Sequence, residues 1–133
     1  MEPGIRQLVW QRAAGRCEYC RLKQEHEVAQ LFHVEHIIAL QHRGESAMEN
    51  LALSCAKCNA YKGPNLTSRD PDTGKVEELF HPRNHRWEDH FCMNGPRILG
   101  ITTTGRTTVW LLQMNSARRL ALRQVLIEDG DWD

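Results

Sequence analysis

Residues 32–63 organise the chain and read FHVEHIIALQHRGESAMENLALSCAKCNAYKG. An acidic residue stands directly before a histidine, Glu35-His36, and two asparagines follow, Asn50 and Asn59. A C-x-x-C pair lies near the end of the stretch, and a second pair lies upstream of it. Thiolates, imidazoles and side-chain oxygens are the usual metal ligands of proteins. The stretch therefore predicts a metal-stabilised fold that also holds a working metal.

The two C-x-x-C pairs predict a structural zinc site. Its ligands would be Cys17, Cys20, Cys55 and Cys58. Each pair places two thiolates on one turn, and four thiolates close the tetrahedral shell, so no position is left for water. A redox dithiol and two unrelated pairs in a reduced core are the alternatives. A redox motif would need only one C-x-x-C near a βαβ pattern, which this sequence lacks.

The bulk properties indicate an ordinary globular protein. The chain has 133 residues, 41% of them hydrophobic and 26% charged, and we expect residues 1–133 to form a single domain. We see no signal-peptide pattern and no apolar run of about 20 residues, so we expect a cytoplasmic protein without a membrane segment. Five cysteines argue against a disulfide framework. The fifth, Cys92, is predicted to be a small buried apolar residue.

The formal net charge is zero, which is not typical of a protein that coats DNA. Residues 57–123 are mildly basic and the last residues are acidic. This distribution is compatible with phosphate contacts, and a plain solvated surface explains it equally well.

Hydrophobic periodicity and turn residues predict a mixture of short helices and strands. In the first half of the chain, we expect a helix at 3–14 that Gly15 ends, a strand ending near His36, a strand at 51–54, and a knuckle and short helix at 55–62. In the second half, we expect a strand at 76–80, a hairpin with strands near 90–94 and 97–102, and a helix at 105–114 capped by Thr104. A last helix is expected at 117–128, capped by Asn115 or Ser116, with an apolar stripe of Leu122, Val125 and Leu126.

Residues 17–63 resemble the zinc-binding branch of the HNH endonuclease family. The matching pieces stand in order as Glu35-His36-Ile37, Gly44, Asn50-Leu51, and CAKCNAYKG at 55–63, with Cys17 and Cys20 upstream. The resemblance implies an α+β fold with a small ββα-metal core, similar to His-Me finger proteins, that spans residues 15–64 and is held by the four-cysteine zinc site. The N-terminal helix would precede this core, and residues 65–133 would form a C-terminal extension with a hairpin and helices.

The resemblance also implies roles for four residues. His36 would be the general base, since a neutral imidazole can take a proton from water at cellular pH. Asn59 and Glu35 would hold a divalent metal ion, and Asn50 would fix the loop through backbone hydrogen bonds and so orient His36. Two oxygen ligands favour Mg²⁺ or Mn²⁺ over zinc in that second site.

Glu35 stands where the family usually has aspartate, and its extra methylene displaces the carboxylate by about an ångström. Adjacent side chains on a strand also point to opposite faces, so we expect the strand to end or bend between Glu35 and His36. Four further residues flank the site and are candidates for phosphate contacts: His33, Arg43, Lys57 and Lys62.

The function that the sequence favours is a metal-dependent DNA endonuclease that hydrolyses phosphodiester bonds and, as a monomer, nicks one strand. Its oligomeric state is left open. The alternative is a non-catalytic zinc-binding module that recognises nucleic acid or protein, and a zinc-based redox sensor is a third possibility.

Overall fold

A computed structural model describes residues 1–133 and shows an α+β protein whose strands pair as three separate two-stranded antiparallel sheets. The fold class predicted from the sequence is confirmed. The chain groups into two compact units, one formed by Met1–Leu66 and His81–Arg86, the other by Thr67–Phe80 and Trp87–Asp133. That the whole chain is one domain stays a prediction. None of its helices has the length and apolar character required to cross a membrane.

The first unit is built on a hairpin of β1 (His33–His36) and β2 (Leu51–Ser54). The strands are antiparallel, with Glu35 opposite Ala52 and His36 opposite Leu51. All four residues of β2 are buried, so this strand is the centre of the unit's core. Both strands lie within the ranges that the sequence predicts.

Helix α1 (Pro3–Ala13) packs against the hairpin. Proline suits its first turn because the missing N–H would have no helical partner there. The chain leaves the helix through two left-handed residues, Ala14 with φ of 54° and Gly15 with φ of 69°. Near its end, Arg12 donates hydrogen bonds to the carbonyl oxygens of Met48 and Leu51, which ties α1 to the start of β2.

Helix α2 (Ala56–Lys62) follows β2 directly and completes a ββα arrangement. Its N-cap is Cys55, whose sulfur accepts a hydrogen bond of 3.4 Å from the backbone N–H of Cys58. Gly63, with φ of 52°, ends the helix. The knuckle and short helix predicted at 55–62 are confirmed.

The second unit contains two further hairpins and three helices. In chain order these are β3 (Thr67–Arg69), β4 (Val76–Glu78), α3 (Trp87–His90), β5 (Phe91–Asn94), β6 (Arg97–Gly100), α4 (Thr103–Leu111) and α5 (Ala117–Glu128). The hairpin of β5 and β6 was predicted, whereas β3 was not. The strand predicted at 76–80 ends at Glu78, and the two apolar residues after it are buried in the core.

Helix α4 starts two residues earlier than predicted. Thr102, rather than Thr104, is the N-cap, and its hydroxyl accepts a hydrogen bond of 2.9 Å from Gly105 N–H. Gly105 must stay small because a Cβ there would overlap the carbonyl oxygen of His90. Helix α5 has the predicted bounds, and Ser116 is at its N-cap position without a side-chain capping bond.

Two sequence expectations about burial are wrong. Val125 is 51% exposed, and the inner face of α5 instead buries two arginines. Arg119 donates to the carbonyl oxygens of Leu112 and Gln113, and Arg123 to that of Pro96, so both guanidinium groups are satisfied by backbone carbonyls. Cys92 is exposed rather than buried, since it lies on the outer side of β5.

Candidate metal centre and active site

The four predicted zinc ligands converge in the first unit. The sulfur atoms of Cys17, Cys20, Cys55 and Cys58 lie within 4.8 Å of one another, and all four residues are buried. The sulfurs of Cys20 and Cys55 are 3.7 Å apart. With Zn–S bonds of about 2.3 Å, neighbouring thiolates of a tetrahedron are about 3.8 Å apart, so the spacing fits zinc. Burial raises the pKa of the Cys17 and Cys58 thiols, which makes clustered thiolates unfavourable unless a cation neutralises them.

The residues between Cys17 and Cys20 attach this first knuckle to the hairpin. Glu18 exchanges two hydrogen bonds with β2, because its N–H donates to Leu53 O and its carboxylate accepts from Leu53 N–H, each at 2.8 Å. The same carboxylate pairs with Arg83. Burial lowers the pKa of Arg83 to about 10, so the guanidinium remains charged at neutral pH.

The neighbouring Tyr19 is fully buried and donates its hydroxyl to Glu35 on β1. Burial first, and then the negative charge of Glu35, raise the pKa of Tyr19 well above its ordinary value, so the hydroxyl keeps its proton. Sequence reasoning missed this contact. The motif does not specify the two residues between its cysteines, and the local sequence does not predict the direction of their side chains.

His36 lies at the end of β1 and is half-buried. Its Nε2 atom is 2.8 Å from Ser46 Oγ, on the loop between the two strands. The second ring nitrogen is not part of that contact. The sequence did not predict the contact between Ser46 and the His36 ring, because Ser46 indicated only a loop. An imidazole with one nitrogen held by a hydroxyl can use the other as a proton acceptor.

Asn50 braces the loop that carries Ser46. Its amide accepts from Ile38 N–H at 2.9 Å and donates to the carbonyl oxygens of Ile38 at 3.1 Å and Glu45 at 2.8 Å. Gly44 lies in the same loop, against Ile38 and the amide nitrogen of Asn50, where a Cβ would overlap both. The loop therefore closes around one buried amide, directly after His36 in the chain.

Strand β1 stays regular through Glu35 and His36, so the expected bend between them is wrong. The two side chains point to opposite sides. Glu35 is 6% exposed and faces α2, where its Oε2 lies 3.8 Å from Lys62 Nζ. Burial raises the pKa of the Glu35 carboxyl, and the Lys62 ammonium and the Tyr19 hydroxyl act in the opposite direction.

The remaining residues predicted to bind metal or phosphate differ in their exposure to solvent. Asn59 is half-buried on α2, three residues before Lys62 and hence on the same face of the helix. His33, Arg43 and Lys57 are exposed and free to meet a ligand. Lys62 is only 2% exposed and donates to Ile37 O at 3.0 Å, so its predicted contact with a phosphate is wrong.

Comparison with known protein families finds a match to the part of the chain that forms this site. The model of the HNH endonuclease family matches residues 17–65, which span both knuckles, the hairpin and α2. These residues are therefore similar to the HNH endonuclease family. The matched segment lies wholly within the first unit.

The similarity to a curated relative extends beyond the HNH segment. The chain is 26% identical over 128 residues to Septu protein PtuB of Bacillus thuringiensis, covering 95% of this chain and 47% of that protein. The chain therefore spans about half the length of the curated relative that it matches. No solved structure matches the chain.

Proposed function

We propose that the protein is a metal-dependent DNA endonuclease that hydrolyses phosphodiester bonds and nicks one strand per event. The observation that carries the proposal is the position of His36. It stands in an HNH segment, half-exposed, with one ring nitrogen on Ser46 and outside the closed four-cysteine cluster. The closed cluster stabilises the fold, so the proposed reaction takes place on the face of the hairpin that carries His36.

In the proposed reaction, His36 is the general base. Its Nε2 carries the ring hydrogen and donates it to Ser46 Oγ, which leaves Nδ1 to accept a proton from water. The water oxygen forms a bond to phosphorus as the bond to the 3′ oxygen breaks, and the 3′ oxygen takes a proton from a solvent water, leaving a 5′-phosphate and a 3′-hydroxyl. Asn50 and Gly44 hold the loop so that Ser46 fixes this tautomer and ring orientation.

Glu35 and Asn59 are the proposed ligands of a divalent ion. Glu35 is 6% exposed on the face of β1 opposite His36, with Oε2 3.8 Å from Lys62 Nζ, and Asn59 lies on α2 three residues before Lys62. Ligation at the phosphate therefore requires the Glu35 carboxylate to turn away from Lys62. A carboxylate and an amide oxygen suit Mg²⁺ or Mn²⁺. When bound, the ion supplies positive charge for the phosphate and the leaving oxygen.

Three exposed side chains near the site are proposed to position the phosphate backbone: His33, Arg43 and Lys57. Arg43 immediately precedes Gly44, at a left-handed backbone position with φ of 63°. Such contacts are independent of base sequence and weaken as salt increases.

The test is nicking of supercoiled plasmid with Mg²⁺ or Mn²⁺ by the zinc-loaded protein. We expect the parent and His42→Ala to nick, because His42 is an exposed histidine of the same loop with no proposed role. His36→Ala should lose at least 100-fold in rate while retaining zinc and its unfolding midpoint, since general-base catalysis contributes about 10²–10⁴-fold.

Equal cutting by the parent and His36→Ala would refute the proposed base. DNA binding by the parent without any cutting would instead favour the non-catalytic zinc module. The buried pairing of Glu35 is the observation that favours this second candidate.

A further inference from the structure

The residues immediately before and after His36 in the chain are both held by buried contacts. Lys62 Nζ donates to Ile37 O at 3.0 Å and faces Glu35 Oε2 at 3.8 Å. Ile37 directly follows β1, and Lys62 binds its backbone carbonyl, whereas Glu35 and His36 point to opposite faces of the strand. A single ammonium on α2 therefore contacts the chain immediately before and immediately after His36.

A second contact comes from the zinc knuckle. Tyr19 donates to Oε1 of Glu35, the oxygen that does not face Lys62. Because Cys17 and Cys20 flank Tyr19 and Cys58 precedes Lys62 on α2, both partners of Glu35 are placed by the four-cysteine cluster. The path from the cluster to β1 thus runs through two buried side chains, each of them at most 2% exposed.

We propose that Tyr19 and Lys62 are positioning residues, which hold the Glu35 side chain of β1 and the Ile37 carbonyl directly after it and thereby aim His36 at the substrate. This inference rests on the proposed function, in which His36 is the base. Neither residue touches the reacting atoms. Their effect is on the direction of the His36 ring, and a displacement of about 1 Å in a catalytic group can cost 10²-fold in rate.

The proposal also explains why glutamate stands at position 35. An aspartate would be shorter by one methylene, about an ångström, and its carboxylate would withdraw from the fixed hydroxyl of the buried Tyr19. The longer side chain lets one carboxylate meet Tyr19 with one oxygen and face Lys62 with the other.

The experiment compares Tyr19→Phe and Lys62→Met with matched controls. Tyr61→Phe changes a half-buried tyrosine on α2, and Lys75→Met changes an exposed lysine of the second unit. The first readout is the NMR signal of the His36 ring in the zinc-loaded protein without DNA, assigned by its loss in His36→Ala. We expect one sharp set of signals in the parent and both controls, and broadened or doubled signals in Tyr19→Phe and Lys62→Met.

The second readout is nicking. In both test variants kcat should fall by about 10- to 100-fold with KM nearly unchanged, because the exposed side chains proposed to contact DNA are intact. Since Glu35 is also a proposed metal ligand, the His36 ring signals recorded without a divalent ion show whether the base itself is misdirected. Glu35→Asp should behave like Tyr19→Phe in the NMR spectrum. If Lys62→Met loses zinc or fails to fold, Tyr19→Phe, which keeps the ring and its packing, decides the question.

Unchanged His36 signals in Tyr19→Phe, together with unchanged kcat, would overturn the inference. The two proposals fail differently. If the parent does not cut DNA, the proposed function fails, and the ring signals still show whether Tyr19 and Lys62 position His36.

Discussion

Replacing Gly44 by alanine tests how tightly the loop after β1 is closed. The added Cβ would lie 2.6 Å from the carbonyl carbon of Ile38 and 2.8 Å from Asn50 Nδ2, and closer still to the carbonyl oxygen of Ile38. These neighbours are a backbone carbonyl and an amide held by three hydrogen bonds, so neither can rotate away. The φ of Gly44 lies outside the left-handed region, and the cost is therefore steric.

The magnitude follows from the overlap. The carbonyl carbon alone must retreat by about 0.8 Å to reach the 3.4 Å of ordinary van der Waals contact, and the carbonyl oxygen, which lies closer to the added Cβ, must move further. Overpacking of this kind costs about 1–3 kcal/mol. Weakening one of the hydrogen bonds between Asn50 and Ile38 adds about 1 kcal/mol. We expect Gly44→Ala to lower the free energy of unfolding by about 2–4 kcal/mol.

The assay is urea unfolding of the zinc-loaded protein, followed by nicking of plasmid DNA. Gly4→Ala is the matched control, because a Cβ at Gly4 meets nothing within 4 Å. In helix α1 this change should raise the free energy of unfolding by up to about 1 kcal/mol. Gly44→Ala should also reduce nicking, since the loop carries Ser46. A free energy of unfolding within about 0.5 kcal/mol of the parent would refute the steric reasoning.

Three further predictions concern the zinc cluster and the second unit. Cys58→Ser removes one of four ligands, so zinc should be lost on dialysis and the thermal midpoint should fall; full zinc retention would contradict a four-thiolate site. The hydrogen bond from Arg106 holds the pKa of Asp70 below its usual range. Asp70 therefore stabilises the fold above the ordinary aspartate range, and this is lost as pH falls through the lowered pKa. The midpoint difference between the parent and Asp70→Asn should shrink from pH 6 to pH 3, and a constant difference would refute the assignment. Arg123→Met removes the donor from the buried Met114 carbonyl and the part-buried Pro96 carbonyl and should cost about 2 kcal/mol in urea unfolding. A cost below about 0.5 kcal/mol would show that water replaces the guanidinium.

Much of the fold could be predicted because local chemistry encodes local structure. Pro3 and Gly15 bound α1, the alternation before His36 marks β1, and the strands of the hairpin formed by β5 and β6 flank a turn. The misses also have local causes. Three consecutive threonines at 102–104 offer equal N-caps, and only the packing of Gly105 against His90 selects the first. Amphipathic periodicity also treats arginines as surface residues, so it could not find the buried pair on α5.

The sequence by itself determined which four cysteines form a cluster, because cysteine spacing is a geometric constraint on a metal site, and its resemblance to the HNH family singled out His36. Tertiary structure alone decided what surrounds them. Ser46 on the His36 ring, Tyr19 on Glu35, and Lys62 buried rather than reaching for phosphate depend on partners 10 to 25 residues apart. No local pattern specifies such pairs, because they form only when β1, α2 and the first knuckle pack together and each buried polar group must find a partner.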